Sequence, residues 1–311
     1  MKSIAFAVSG TTTPQTLGEA MFRHFKTSAV LAMVAVAAAG AAIAGQATPA
    51  GAAVAGQATP AERSIDVGGK SVHVSCSGVQ QKHRPVVVLM AGLGDGTDRM
   101  AALQQALSRS NRVCSYDRLG EGRSDQPDRP QTIDSTGAVL TKVIGTVSGG
   151  RPVVLAGHSL GGLIAARYAP DHKREVSGVV LMDATSPTMM ADVERAIPES
   201  ATGFGAELRA QTLAVFRGEN PERLVIGDGP VRSAGDIPVE VVQHGKPYLA
   251  EVPEYGAALE QAWGAGQRAW LGLSCRADFR TAANSGHYIY LDEPEVAVQA
   301  VQRVVTKASR R

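Results

Sequence analysis

The sequence predicts an α/β fold, with a mostly parallel central sheet, helices on both faces of it, and a small helical cap. Three observations predict it. Short continuous runs rich in β-branched residues recur along the chain, the mark of strands buried on both faces. They are "PVVVLM" (85–90), "RVCSYD" (112–117), "PVVLAG" (152–157), "SGVVLMD" (177–183) and "PVEVVQ" (238–243). Helical stretches separate them, and strands that alternate with helices imply a parallel sheet. One long interval, between Asp183 and Pro238, holds no such run and reads as an insertion.

In chain order, the N-terminal segment comes first. Arg23, His24 and Lys26 precede an uncharged apolar run, 27–44, that ends in Ala42-Ile43-Ala44. A basic start, an apolar middle and a small-residue exit describe a secretory signal peptide. Residues 1–44 are therefore expected to be one, which places the protein in a secreted or extracytoplasmic location. Met21 stands just before the basic residues, leaving residues 1–20 open as a start-site artefact. The alternative is an uncleaved membrane anchor, although the run is alanine-rich and weakly hydrophobic. "AGQATPA" follows twice, at 44–50 and 55–61. Such a stretch cannot bury a core, so 45–62 is expected to be a disordered leader.

The folded domain is expected over 63–311. "SIDVGGKSVHVSCSG" alternates with period two about a Gly-Gly turn and predicts a hairpin of half-buried strands. Helical patterns cover 100–108, 160–168 and 257–271, and "DFRTAANSG" (278–286) is a weaker last strand. A final helix runs from about Pro294 to Lys307; Pro294 suits a first helical position and Asp292 a cap. The interval of about 184–237 includes "PTMMADVERAIPES" and "GAELRAQTLAVFRG", both helical in pattern. It is long for a plain loop and is read as a cap over the site.

The formal net charge is +2. Residues 1–44 account for it, with Lys2, Arg23 and Lys26 against Glu19, so the remainder is near neutral. No basic stripe is present, which argues against nucleic acid as a partner and for a small substrate. Cys76, Cys114 and Cys275 lack the spacing of a zinc site. No metal or organic cofactor is implied, and no feature encodes an oligomeric state.

The chemistry concentrates in "LAGHSLGGL" (155–163). Gly157-His158-Ser159-Leu160-Gly161 fits G-x-S-x-G between a buried strand and an apolar helix, the context that motif requires. Ser159 is the candidate nucleophile. Its base should lie late in the chain, and "NSGHYIYLDEPE" supplies His287 there. His158 is assigned to packing, while His73, His83 and His172 lie in early strand or surface segments and are expected to be solvated. For the oxyanion, the glycine-rich "MAGLGDG" (90–96) can turn backbone N–H groups toward developing negative charge. The Leu93 and Leu160 amides are the candidates. Asp117 and Arg118 are read as holding a turn, and Trp263 and Trp270, seven apart, as core packing.

The chain resembles the α/β-hydrolase fold family, in its serine hydrolase (esterase- and lipase-like) branch. "GHSLGG" resembles the family's nucleophile elbow, and "MAGLG" its oxyanion loop, with Ala91 where histidine is usual. "YDRLGEGRSD" (116–125) resembles its D-x-x-G-x-G-x-S turn and "SGHYIYLDEPE" its catalytic-histidine segment. The resemblance implies a catalytic acid. Many members place it after the strand that precedes the histidine strand, here "VVQHGKPYL" (241–249), yet no carboxylate stands at that strand end. Other members place it one strand earlier, where this chain has Asp183; Glu251 and Glu254 are the fallback. The resemblance also implies that the strands of Cys76 and Cys114 are sheet neighbours, and so a Cys76–Cys114 disulfide with Cys275 free.

The expected function is that of an exported serine hydrolase that cleaves carboxylic esters through an acyl-enzyme on Ser159. A small ester or acyl compound is the expected partner, with no stable membrane insertion after signal cleavage. Acyl transfer, lactone or peptide hydrolysis and cofactor-free peroxidase activity are alternatives on the same triad. A non-catalytic ligand-binding member of the fold is a further one.

Overall fold

The computed structural model describes residues 60–310. The expected signal peptide, and the leader as far as residue 59, lie outside the described residues. The strands are β1 (Ala61–Val67), β2 (Lys70–Ser77), β3 (Val86–Met90), β4 (Val113–Tyr116), β5 (Val153–His158), β6 (Val176–Met182), β7 (Val239–His244) and β8 (Ala277–Ala282). They form one sheet in the order β1-β2-β4-β3-β5-β6-β7-β8. The pairs β1–β2 and β2–β4 are antiparallel and all others parallel. β1 begins inside the segment read as leader. Glu62 pairs with Ser75, and its carboxylate receives the Arg123 guanidinium at 2.7 Å, so sheet pairing and an ion pair order residues whose composition gave no sign of it.

The helices are α1 (Thr97–Ser108), α2 (Ile133–Val147), α3 (Leu160–Tyr168), α4 (Met189–Ala196), α5 (Gly203–Phe216), α6 (Gly256–Ala269), α7 (Ile289–Asp292) and α8 (Pro294–Ala308). The period of two in β3 divides the core between the faces of the sheet. Val86, Val88 and Met90 pack with Leu140, Val143 and Ile144 of α2 and Leu163 and Ile164 of α3. Val87 and Leu89 pack on the other side with Met100 and Leu103 of α1 and Val301 and Val304 of α8. All five β3 side chains are fully buried, each contributing roughly 1.5–3 kcal/mol of transfer free energy. That is why these strands read as unbroken apolar runs.

α2 has no clear signal in the sequence. Its β-branched residues and Gly137 and Gly145 lower its intrinsic helicity. A capping box between Thr132 and Ser135 and burial of Val139, Leu140, Val143, Ile144 and Val147 supply what propensity does not. Asp292 does not cap the last helix, which has no side-chain cap. Its carboxylate accepts the Gly286 N–H at 2.8 Å and the Ser285 hydroxyl at 3.3 Å, bracing the turn before His287. Cys76 and Cys114 are register partners on β2 and β4 and form a disulfide, while Cys275 is an exposed free thiol. His73 is buried in β2 and not solvated, because its strand lies inside the sheet between β1 and β4.

A third apolar cluster lies apart from the two faces. Met189 and Val193 of α4, Ile197 and Leu208 of α5 join Tyr248, Leu249, Val252, Leu259 and Trp263 from the β7–β8 connection. No helix among the described residues is long and apolar enough to cross a membrane. The strand order reverses at β3, which lies between β4 and β5. In open α/β sheets the crevice outside the strand C-termini at such a point is where ligands bind. β3 ends there in Met90 and β5 in His158, one residue before Ser159.

Candidate active site

Ser159 sits between β5 and α3 with φ 50° and ψ −120°, a backbone state that non-glycine residues rarely occupy. Its neighbours explain how that state is held. The Ser159 N–H donates to Met182 O at 3.2 Å, and its carbonyl accepts from Gly162 and Thr185 at 3.0 and 3.1 Å. A side chain at position 157 would strike the Gly161 backbone, and one at 161 the Met90 and Ala91 carbonyls. The two motif glycines are therefore demanded by close backbone approach.

Asp183 follows β6 at φ 46° and is completely buried. Its Oδ2 accepts His287 Nδ1 at 2.8 Å. Its Oδ1 accepts the His244 backbone N–H at 3.2 Å, faces His244 Nδ1 at 2.8 Å and accepts Trp263 Nε1 at 3.0 Å. Burial alone would raise its pKa, but the bonds from His244 and His287 prevail and hold the carboxyl well below the usual range. Glu251 and Glu254 are both exposed, and neither bonds His287. Tyr248 Oη lies 3.3 Å from His287 Nδ1.

His287 is held from behind by His158, the residue preceding Ser159. Burial, then the neighbouring His287, keep the His158 imidazole well below its ordinary pKa, so the ring is neutral and its Nε2–H donates to the His287 carbonyl at 3.0 Å. The two rings pack with centroids 4.5 Å apart. His158 thus packs as its sequence position implies, and orients the loop as well.

The amides of Leu93 and Leu160 are aimed by the carbonyls that share their peptide planes. Arg118 Nη2 donates to Gly92 O at 2.8 Å, and Nη1 to Ala91 O at 2.7 Å. A trans peptide points its N–H opposite its C=O, so with the Gly92 carbonyl drawn back the Leu93 N–H faces away from Arg118. The Ser159 carbonyl, turned toward Gly162 and Thr185, does the same for Leu160. Neither amide has a protein acceptor among the described residues. Arg118, buried, is itself fixed by Glu222, with Nε to Oε2 at 2.8 Å and Nη2 to Oε1 at 2.7 Å. Glu121 accepts the Gly94 N–H at 2.8 Å; burial, with Glu222 close by, pushes its carboxyl up to about 7.

Ser159, Leu160, Leu93 and His287 line one cavity of about 50 Å³, together with Met189, Phe216, Tyr248 and Trp263. Among the described residues the Ser159 hydroxyl makes no hydrogen bond; in an empty site such a bond to the base is often long and forms only with substrate. The five residues singled out from sequence are thus brought together, Asp183 standing behind the cavity wall and bonding His287 and Trp263, which line it. Sequence reasoning missed His244, Tyr248, Glu222 and the polar role of Trp263. Trp263 does pack in the apolar cluster, but its indole N–H is spent on Asp183. The one signal that could have found His244 was its place at the strand end where an acid is usual.

Sheet, elbow and strand order define the α/β-hydrolase fold, and the chain has that fold. A family model described as alpha/beta hydrolase fold matches residues 85–218. The chain is 29% identical over 161 residues to a proline iminopeptidase of Saccharolobus solfataricus, covering 50% of this chain and 51% of that protein. It is 29% identical over 150 residues to the (lyso)-N-acylphosphatidylethanolamine lipase of Mus musculus, covering 46% and 44%. The chain thus spans about half the length of these curated relatives. The solved structure of a bacterial membrane phospholipase A superposes with a TM-score of 0.57 at 17% identity, covering 81% of this chain and 87% of that one, a likeness of fold.

Proposed function

We propose that this protein is an exported serine hydrolase that cleaves carboxylic esters. Ser159 Oγ attacks the ester carbonyl while His287 Nε2 takes its proton. Asp183 holds Nδ1–H, fixing the tautomer and stabilising the imidazolium. The Leu93 and Leu160 amides receive the oxyanion. His287 returns the proton to the leaving alcohol, and water then releases the acyl group by the same path. The observation that carries the reading is the 2.8 Å contact of His287 Nδ1 with Asp183 Oδ2, in a histidine that shares its cavity with the strained Ser159.

The wall of that cavity supports an ester over a peptide N-terminus. Among the described residues that line it, none is acidic, so nothing there would pair with a free ammonium group. We read the interval 184–237, with α4 and α5, as a cap that shapes the acyl pocket. The disulfide supports an oxidising compartment, in keeping with the signal-like N-terminus.

A fluorophosphonate probe tests the nucleophile. Wild type is expected to be labelled at one site and Ser159→Ala not at all, with p-nitrophenyl ester hydrolysis lost in parallel. A folded wild type that takes no label would favour a non-catalytic ligand-binding protein on this scaffold.

A further inference from the structure

Asp183 has a second imidazole. His244, at the C-terminal end of β7, places Nδ1 2.8 Å from Asp183 Oδ1 and Nε2 2.7 Å from Glu260 Oε1 of α6. Both partners are carboxylates, which when ionised only accept hydrogen bonds. A neutral imidazole carries one N–H, so one of these short contacts would set a lone pair against a carboxylate oxygen. A doubly protonated ring satisfies both. The side chains of His244 and Asp183 are almost wholly buried and that of Glu260 is one-fifth exposed. Glu260 Oε2 is also held by the Leu249 N–H at 3.2 Å. The other polar groups facing this arrangement are the Trp263 N–H on Asp183, and Tyr248, whose ring meets His244 edge-on at 4.8 Å. His287 shares Asp183 from the opposite oxygen.

We infer that His244 is a positioning residue for the catalytic acid: an imidazole protonated at neutral pH, held between Asp183 and Glu260, that fixes Asp183 as a carboxylate and, by sharing its charge, offsets part of its pull on positive charge at His287. The inference rests on the hydrolase reading for its consequence, but its structural half stands without it. A base at work near neutral pH must shed its proton there. An Asp183 with only His287 for a partner would hold a positive charge on that ring more strongly. The cation at His244 offsets part of that attraction, and it stands at the strand end where the sequence offers no acid.

Two measurements test this. Imidazole ¹⁵N shifts of the intact protein, followed with pH, should show His244 doubly protonated at pH 7. Burial opposes that charge, but Asp183 and Glu260 outweigh it and push the ring up to about 9, where it should titrate. In Glu260→Gln that midpoint should fall. In His244→Gln, which keeps an N–H donor without the charge, the acid limb of kcat/KM for a p-nitrophenyl ester should move up by about one pH unit. A His244 with a single N–H at pH 7, or an unmoved acid limb in a folded His244→Gln, overturns the inference. The NMR readout needs no turnover. A charged His244 in an inactive protein would sink the hydrolase reading alone, and a neutral His244 in an active esterase would sink this inference alone.

Discussion

Two buried clusters stand behind the cavity, and each sets one cation among carboxylates. At the first, Arg118 bonds Glu222 with Glu121 nearby, and its remaining N–H groups take the Ala91 and Gly92 carbonyls. At the second, His244 lies between Asp183 and Glu260. The first positions a backbone: it turns the loop that presents Leu93. The second positions a side chain: it fixes the acid that orients His287. The kind of cation differs accordingly. A guanidinium keeps its charge at any working pH and its planar fork reads two carbonyls and a carboxylate at once. An imidazole can lose its charge, so the second cluster carries a pH dependence that Arg118 does not.

The largest expected effect comes from removing the acid of the second cluster. Asp183→Asn keeps the size of the side chain but can neither stabilise the His287 imidazolium nor enforce its tautomer. Turnover of a p-nitrophenyl ester is expected to fall by about 10⁴, with an unchanged circular dichroism spectrum as the control for folding. Near-wild-type activity would move the acid elsewhere, to Glu251 or Glu254, and dissolve the comparison.

The first cluster should fail differently. Arg118→Met leaves Glu222 buried without its partner, a defect that costs on the order of 3–5 kcal/mol. Reduced stability in urea is therefore the expected primary effect, with lower activity following from a loosened loop. A stable Arg118→Met that loses only turnover would mean the arginine acts on the reaction and not on the fold.

These two clusters also mark where the sequence was legible. The buried strands show as β-branched runs because both faces are covered, and the elbow shows because its glycines answer to backbone contacts a few residues away. Asp183 is reachable through the family resemblance, which implies an acid at one of two strand ends, and "VVQHGKPYL" has no carboxylate at its own. The role of His244 is not reachable, because it depends on β6 and β7 lying side by side: Asp183 N–H bonds Val242 O at 2.8 Å, bringing the two strand ends together. Glu222 is invisible for the same reason, as it lies 104 residues from Arg118 in a segment without regular pattern. Spacing misleads at Trp263, since a heptad interval reports a helix face and says nothing of an indole N–H.

The smallest effect separates the clusters by pH. Glu121 in the first has a carboxyl raised to about 7 from an ordinary value of 4.5, burial being the main cause. The folded state then holds a proton that the unfolded chain releases at lower pH, so stability falls as pH rises from 4.5 to 7. His244 in the second is raised to about 9 from 6.5. Its contribution is complete below 6.5 and is lost as pH rises through 9. Stability measured by urea titration should therefore decline in two steps. Glu121→Gln should remove the first, worth on the order of 1–3 kcal/mol after allowance for residual solvent, and leave the second intact. Loss of both steps in that variant would mean that the two clusters titrate as one network through the cavity they share.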